Sequence, residues 1–333
     1  MTSGCAIEHL ETFLPDREVT NADLKKEFPD WNMDLFEKTV GVKTRHEVKA
    51  GETASDIAQK AAVKLFRKVD MQRVDFLIFC TQYPDYYKPT TACLLQQRLG
   101  LKNSIGAYDM NLGCSGFVYG LAVAKGLIKA NVASHVLLLT STSASKYIYN
   151  KDRSKKSLFG DGASACLVTA SEKEKIMAFE FGTDGNNTDL VIPNGAFRKR
   201  YDPQAPEFEY EPGSYTTDNH VQMNGHEIMN FTLRVVPPLV RQVLKKNGLT
   251  PADIDYTVFH QANPFILDHL RKRCGLPKDR FFNDISDTGN TSSSSVPIGI
   301  RKLADRGIIK PGYKLLLAGF GVGLSWAATV IEY

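Results

Sequence analysis

Cys114 lies in the segment Asp109-Met110-Asn111-Leu112-Gly113-Cys114-Ser115-Gly116, which runs straight into FVYGLAVAKGLIKA. The second stretch has apolar residues at helical spacing and small residues that allow close packing. The cysteine is therefore expected at a strand-to-helix turn, at the N-terminus of the helix. Backbone N–H groups and the helix dipole favour negative charge there, which predicts a lowered thiol pKa and a nucleophilic thiolate. Gly113 and Gly116 would let a substrate carbonyl come close to the backbone. A buried cysteine capping a packed helix has the same local sequence, so this segment alone leaves both readings open.

Two other segments carry groups suited to polarising a carbonyl. His260, in His260-Gln261-Ala262-Asn263-Pro264, directly follows a strand-like run and should stand at a strand end. Asn290 sits in the polar turn Asp287-Thr288-Gly289-Asn290-Thr291-Ser292-Ser293-Ser294-Ser295, which opens the helical pattern IGIRKLADRG. Either side chain alone fits an ordinary structural hydrogen-bonding role. Gly319-Phe320-Gly321-Val322-Gly323-Leu324-Ser325-Trp326 is glycine-rich, but no strand–helix–strand unit follows it. A dinucleotide loop is thus disfavoured, and a tight turn with free backbone N–H groups fits better.

The composition narrows the field. A 333-residue chain that is 43% hydrophobic and 23% charged is a globular protein of about two domain-sized units. A net charge of +4 without a concentrated basic stripe argues against nucleic acid as a partner. The sequence shows no signal-peptide pattern and no apolar run near the roughly 18 residues of a membrane span. A cytoplasmic protein that does not engage a membrane is expected. The six cysteines (Cys5, Cys80, Cys93, Cys114, Cys166 and Cys274) form no C-x-x-C pair and have no histidines at ligand spacing. Neither a metal site nor a disulfide framework is expected.

The elements that must hold these groups repeat. Val74-Asp75-Phe76-Leu77-Ile78-Phe79-Cys80, ending at Pro84, is echoed by Ile254-Asp255-Tyr256-Thr257-Val258-Phe259-His260, ending at Pro264; the offset is 254 − 74 = 180 throughout. Both runs read as buried strands, and each follows a helical pattern, AQKAAVKLFRKV in one case and VPPLVRQVLKKNG in the other. VLLLT and KLLLAG form a second pair of strands, followed by ASACLVTA and SWAATVIEY. The order in each half reads helix, strand, long helix, strand, strand, which indicates an α/β fold with partly parallel sheets. We place the halves at 1–172 and 173–333. An irregular Asn-, Gly-, Pro- and Tyr-rich excursion over 182–225 has the character of a lid or a site wall.

Taken together, the segments resemble the β-ketoacyl-acyl-carrier-protein synthase III family over nearly the whole chain. Cys114 in G-C-S-G-F, Phe159-Gly160-Asp161-Gly162-Ala163, His260 in F-H-Q-A-N, Asn290 in G-N-T-S-S-S-S-V-P, and Gly319–Trp326 occur in that family's order and spacing. The resemblance implies a thiolase-like fold: two duplicated βαβαβαββ halves in a five-layered α-β-α-β-α arrangement, as a homodimer. It also implies that Cys114 takes an acyl group from a thioester while the backbone N–H groups of Cys114 and Val322 hold the oxyanion. His260 and Asn290 would then donate to the carbonyl of a malonyl thioester as it decarboxylates, and the enolate would attack the acyl-cysteine. Phe320 matches the aromatic residue between the catalytic groups. The Cys-His-Asn set is shared with plant-type polyketide synthases, whereas elongating synthases use Cys-His-His and thiolases a second cysteine that Gly319–Trp326 lacks.

The same resemblance makes Arg153, Met223, Gly225, Ala262 and Asn263 positions along the coenzyme or pantetheine channel, with no resident cofactor. It also marks departures. The family's adenine-stacking tryptophan falls at Leu35, with Trp31 four residues early, and two coenzyme-binding arginines fall at Thr39 and Phe265. The aromatic residue that often closes the acyl pocket falls at Lys88. An acyl carrier protein is therefore an alternative to acyl-CoA as donor. Arg271, Lys272 and Arg273, on or near the outer face of the helix FILDHLRKRCGL, match the family's docking face for its acidic carrier protein. Ile266, Leu267, Leu270 and Cys274 should face inward. Two further readings keep the fold: transfer of the acyl group from Cys114 to an oxygen or nitrogen acceptor, and a catalytically silent partner subunit.

Overall fold

The computed structural model describes residues 4–186, 190–191 and 199–333. In the first half the chain forms β1 (Gly4–Phe13), β2 (Arg17–Thr20), α1 (Asn21–Glu27), α2 (Met33–Val40), β3 (Thr44–Glu47), α3 (Ala54–Phe66), β4 (Phe76–Cys80) and α4 (Thr91–Arg98). It continues through β5 (Gly106–Met110), α5 (Gly116–Lys129), β6 (His135–Thr142), α6 (Arg153–Leu158) and β7 (Gly162–Ser171). The second half has β8 (Ile176–Thr183), β9 (Leu190–Val191), β10 (Phe208–Glu211), β11 (Ser214–Thr216), β12 (Gln222–Met223) and α7 (Gly225–Lys246). It ends with β13 (Tyr256–Phe259), α8 (Pro264–Arg273), α9 (Ser295–Asp305), β14 (Lys314–Gly321) and β15 (Ser325–Glu332).

Two sheets with the same winding organise these elements. The first has the order β1-β7-β6-β4-β5 and the second β8-β15-β14-β13. Each begins with two antiparallel pairings, β1 with β7 and β7 with β6 in the first, β8 with β15 and β15 with β14 in the second. A parallel pairing follows in both, β6 with β4 and β14 with β13, and the first sheet adds β5 parallel to β4. A single parallel bridge between Thr257 and Phe281 stands where β5 stands in the first sheet. The duplication is thus complete in topology, with one strand reduced to a bridge.

Alternation along the strands sorts the core into layers. Leu77, Phe79, Leu137 and Leu139 pack outward against α3 and α4, whereas Ile78, Cys80, Val136 and Leu138 point inward to α5. Val258, Leu315 and Leu317 point inward from the second sheet to the same layer, which also contains Val296, Ile300 and Leu303 of α9. Phe259, Leu316, Ala318 and Phe320 face out towards α7 and α8. The result is α3/α4, sheet, α5/α9, sheet, α7/α8: the thiolase-like α-β-α-β-α arrangement. Each fully buried Leu or Phe stabilises it by about 1.5–3 kcal/mol. No described helix is long and apolar enough to cross a membrane.

The structure departs from the sequence reading in two ways. The element order read from the sequence leaves out α4, and it also leaves out β5 and α8, the strand expected ahead of Cys114 and the helix expected over FILDHLRKRCGL. The 182–225 excursion is not wholly irregular: β10 and β11 form a hairpin, and β12 pairs with β9. Its residues 187–189 and 192–198 lie outside the described residues.

Candidate active site

The two central helices, α5 and α9, bring the chemistry of the two halves together. Cys114 stands two residues ahead of α5, where β5 has ended at Met110. The glycines around it serve packing. A Cβ at Gly113 would meet Gln82 Oε1 at 2.4 Å and Val322 at 2.6 Å, and one at Gly116 would meet Cys80 Sγ at 2.4 Å. These two positions are therefore closed by protein atoms, correcting the expectation that they admit a substrate carbonyl. Ser115 Oγ lies 2.7 Å from Ser325 Oγ, which donates to the Val322 carbonyl at 3.0 Å. These bonds tie the turn at Val322 to the start of α5.

The thiol is neutral at rest, contrary to the expected lowering. Burial pushes Cys114 up to about 11, outweighing the Ser292 hydroxyl and the backbone amides of Val322 and Cys114, which act in the opposite direction. A helix N-terminus lowers a thiol pKa only as far as desolvation permits, and this sulfur is buried. The backbone amides of Val322 and Cys114 both act on the sulfur and favour negative charge there.

His260 follows the last residue of β13, and its N–H still donates to the Ala318 carbonyl at 2.7 Å, so the strand ladder fixes its backbone. The residue is 2% exposed, at the edge of the buried layer. Its Nδ1 is 2.7 Å from Ser295 Oγ, which also receives the Gln261 N–H at 3.3 Å. The assignment that best satisfies this network has Ser295 donating to Nδ1, which leaves the ring proton on Nε2. Burial pushes His260 down to about 3 against a hydrogen bond with the Ser292 backbone, so the ring is neutral at physiological pH. Phe320, 1% exposed, meets the ring edge-on at 5.6 Å and keeps that side dry. His260 is therefore a neutral hydrogen-bond donor and a poor proton acceptor.

Asn290 bridges to Phe159 across the seam between the halves. Its Oδ1 accepts from the Ser292 N–H at 2.9 Å, which fixes the orientation of the amide. Among the described residues its Nδ2 group donates to nothing, so its N–H bonds remain for a ligand. Ser292 also places its Oγ 3.8 Å from Cys114 Sγ. Sequence reading missed Ser292 and Ser295; they lie in a run of four serines whose individual directions depend on the backbone at the start of α9.

The residues expected along the channel lie on α6, on β12, at the start of α7 and just ahead of α8. Arg153 begins α6, and its guanidinium lies 4.5 Å from the Trp31 ring centroid. Trp31, four residues early by the family's spacing, thus does stand against Arg153. The other side of the guanidinium is closed by the turn between β10 and β11: Arg153 donates to the Pro212 carbonyl, and a Cβ at Gly213 would meet its Cζ at 2.4 Å. Tyr210 of the same hairpin donates to Asp152, which is ion-paired with buried Lys155 at 2.7 Å. Met223 is half-buried in β12, and Gly225 begins α7. Ala262 is half-buried, while Asn263 caps α8 by accepting from the Phe265 N–H at 2.8 Å. Leu35 and Phe265 are both exposed, at 55% and 56%, and α2 ends at Gly41 close to Pro264 of α8. Lys88 is exposed on the loop before α4.

On α8, Leu267 and Leu270 are buried, Cys274 follows the helix into the same core, and Ile266 packs against it. The three basic residues are not equivalent. Arg271 is half-buried, paired with Asp268 at 2.9 Å and donating to the Leu276 carbonyl. Lys272 is exposed beside Asp268, and exposed Arg273 donates to the Leu233 carbonyl. Arg271 and Lys272 thus share Asp268 within the helix, and the more exposed cations are Lys272 and Arg273.

Known proteins share this arrangement. Residues 108–185 match the family profile 3-Oxoacyl-[acyl-carrier-protein (ACP)] synthase III, and residues 244–333 match its C-terminal counterpart. The chain is 34% identical to the beta-ketoacyl-[acyl-carrier-protein] synthase III of Clostridium tetani, over 96% of each protein. A crystal structure of a 3-oxoacyl-(acyl-carrier-protein) synthase III superimposes with a TM-score of 0.97 at 42% identity, covering 99% of this chain and 100% of that one. The 3-oxoacyl-(acyl-carrier protein) synthase from Burkholderia xenovorans LB400 superimposes at 0.91 with 36% identity, covering 99% and 94%.

Proposed function

This chain belongs to the 3-oxoacyl-[acyl-carrier-protein] synthase III family, and from that premise we propose that Cys114 accepts an acyl group as a thioester and gives it up to a decarboxylating malonyl thioester. The enzyme is a condensing acyltransferase. In the first half-reaction the Cys114 sulfur bonds to the donor carbonyl carbon, and the bond to the donor sulfur breaks. The Cys114 proton leaves with the departing thiol, so no stored thiolate is needed. The backbone amides of Cys114 and Val322 stabilise the transient oxyanion.

In the second half-reaction the bond between the malonyl carboxylate and its central carbon breaks, releasing carbon dioxide. The electron pair becomes an enolate, whose oxygen takes the His260 Nε2 hydrogen bond in place of the Ser292 carbonyl and receives a second from Asn290 Nδ2. A neutral donor pair suits this step, because a protonated histidine would be costly in so dry a site. The enolate carbon then bonds to the acyl carbon as the bond from that carbon to the Cys114 sulfur breaks, the 3-oxoacyl product leaves, and the released thiolate takes a proton from water. The observation that carries this reading is the meeting of Cys114, His260 and Asn290 around Ser292. A neutral His260 and an unused Asn290 amide favour condensation over transfer to an oxygen or nitrogen acceptor, which would need a base to take the acceptor's proton.

The rim supports a carrier-borne acyl donor. Arg153 is engaged by Trp31 and Pro212, and the neighbouring Leu35 and Phe265 offer apolar surface to the entering group. Lys272 and Arg273 are the more exposed cations of α8 and would meet an acidic carrier protein. Met223, Gly225, Ala262 and Asn263 would border the phosphopantetheine arm, and no resident cofactor is required. We also propose a homodimer, since β5 forms one edge of the first sheet with all five of its residues half-exposed. An open edge of this kind is suited to strand pairing with a second copy.

Intact-mass spectrometry against a panel of acyl-CoA and acyl-carrier donors tests the donor reading. Labelling of Cys114 by carrier-borne acyl groups at lower concentrations than by the matching acyl-CoA is expected. Preferential labelling by acyl-CoA would overturn it.

A further inference from the structure

Ser292 touches each member of the site in a different way. Its hydroxyl faces the Cys114 sulfur at 3.8 Å, its N–H donates to Asn290 Oδ1 at 2.9 Å, and its backbone favours a proton on the His260 ring. It does so from a left-handed backbone conformation, φ 48°, which is unusual for a residue other than glycine. The only other non-glycine residue with positive φ among those described is Asn131, at the end of α5. Backbone strain of this kind persists where the surroundings over-determine it. Ser292 is also buried, in the short turn that precedes α9, much as Cys114 precedes α5 in the other half.

We infer that Ser292 is a positioning residue of the condensing site: its hydroxyl holds the Cys114 sulfur, and its backbone sets the Asn290 amide and the His260 ring. The inference rests on the reading of Cys114 as the nucleophile. The Ser292 hydroxyl is the only side-chain hydrogen-bond partner of the sulfur among the described residues, and it can donate to the sulfur as negative charge builds there. Tyr83, from the loop after β4, is the titratable group that interacts with the thiol, and His260 stands nearby in the chain's second half at the end of β13. Tyr83 is stacked on Tyr147, and burial raises its pKa, so neither group carries charge near neutrality. The Ser292 hydroxyl is thus left to favour the thiolate from the side-chain positions.

The test compares the full-length protein with Ser292→Gly and Ser292→Ala. Both variants lack the hydroxyl, but glycine accepts the left-handed backbone and alanine does not. Alkylation of Cys114 by iodoacetamide is followed by peptide mass from about pH 6 to about 11, on the rising limb of thiol ionisation. Both variants are expected to react about tenfold more slowly than wild type near neutrality, with the gap closing towards the alkaline end. A Ser292→Gly variant with the wild-type profile would overturn the inference, as would a slowing that is equal at every pH, which reports altered access. If Ser292→Ala fails to fold, Ser292→Gly decides alone. Failure of wild-type Cys114 to take an acyl group in the donor panel would sink the nucleophile reading instead, and is recorded separately.

Discussion

Gly321, the last residue of β14, is packed so tightly on Cys114 that a Cβ there would stand 2.8 Å from the Cys114 Cβ and 2.9 Å from its Sγ. Two residues earlier, a Cβ at Gly319 would meet the Cys114 carbonyl oxygen at 2.8 Å. The nucleophile in one half is thus located by a bare strand from the other. Gly321→Ala must displace the thiol or the strand, at a cost of about 1–3 kcal/mol for overpacking. Acyl labelling of Cys114 in this variant should slow by about 5- to 150-fold as the displaced sulfur carries that cost into the transition state. Wild-type labelling kinetics would show that the contact does not locate the sulfur.

The two half-reactions should separate by mutation. Cys114→Ala abolishes acyl labelling. His260→Ala leaves labelling within about threefold of wild type but slows condensation about 10²–10³-fold, the usual effect of losing one oxyanion donor. Asn290→Ala should resemble the histidine variant. Equal loss of labelling and condensation in His260→Ala would count against this division of roles, and stopped-flow measurement of each step decides it.

The pH dependence follows from the two buried groups. Because His260 is held down to about 3, it stays neutral as pH falls through the range in which an ordinary histidine protonates. Decarboxylative turnover of preformed acyl-Cys114 should therefore be flat from about pH 5.5 to about 8, with no acid limb near the ordinary histidine value of about 6.5. Alkylation of the free thiol, held up to about 11, should keep rising across neutrality. An acid limb near the ordinary histidine value in the first experiment, or a neutral plateau in the second, contradicts these assignments.

What the sequence made legible depends on how local each determinant is. β4 and β13 are visible because strands buried on both faces read as continuous apolar runs. Their matching offset revealed the duplication. β5, Gly-Ala-Tyr-Asp-Met, has no such run and was legible only as the strand implied ahead of Cys114, while its counterpart at Phe281 is a single bridge that was not visible. Cys114 could be placed at the helix start from spacing alone. Its raised pKa could not, because the covering atoms of Gly321, Ser292 and Val322 come from distant sequence. The engagement of Arg153 likewise depends on Trp31 and Gly213, from segments on either side of it in the chain.

Carrier docking gives a graded prediction along α8. Lys272→Glu and Arg273→Glu should each raise KM for a carrier-borne substrate several-fold, by roughly the 0.2–1 kcal/mol typical of exposed charge pairs, and weaken its salt dependence. Arg271→Gln should instead lower Tm, because its guanidinium joins Asp268 to the Leu276 carbonyl. Unchanged KM in both charge-reversal variants, measured at low and high salt, would remove α8 from the docking face.

The most direct test of the account isolates the protein with an acyl group on Cys114 and adds malonyl-acyl carrier protein in a single turnover. Loss of acyl mass from Cys114 and release of carbon dioxide are measured together. The account predicts that they proceed one for one, at the same rate, with a 3-oxoacyl carrier as product. Discharge of Cys114 to an oxygen or nitrogen acceptor without carbon dioxide release would contradict it.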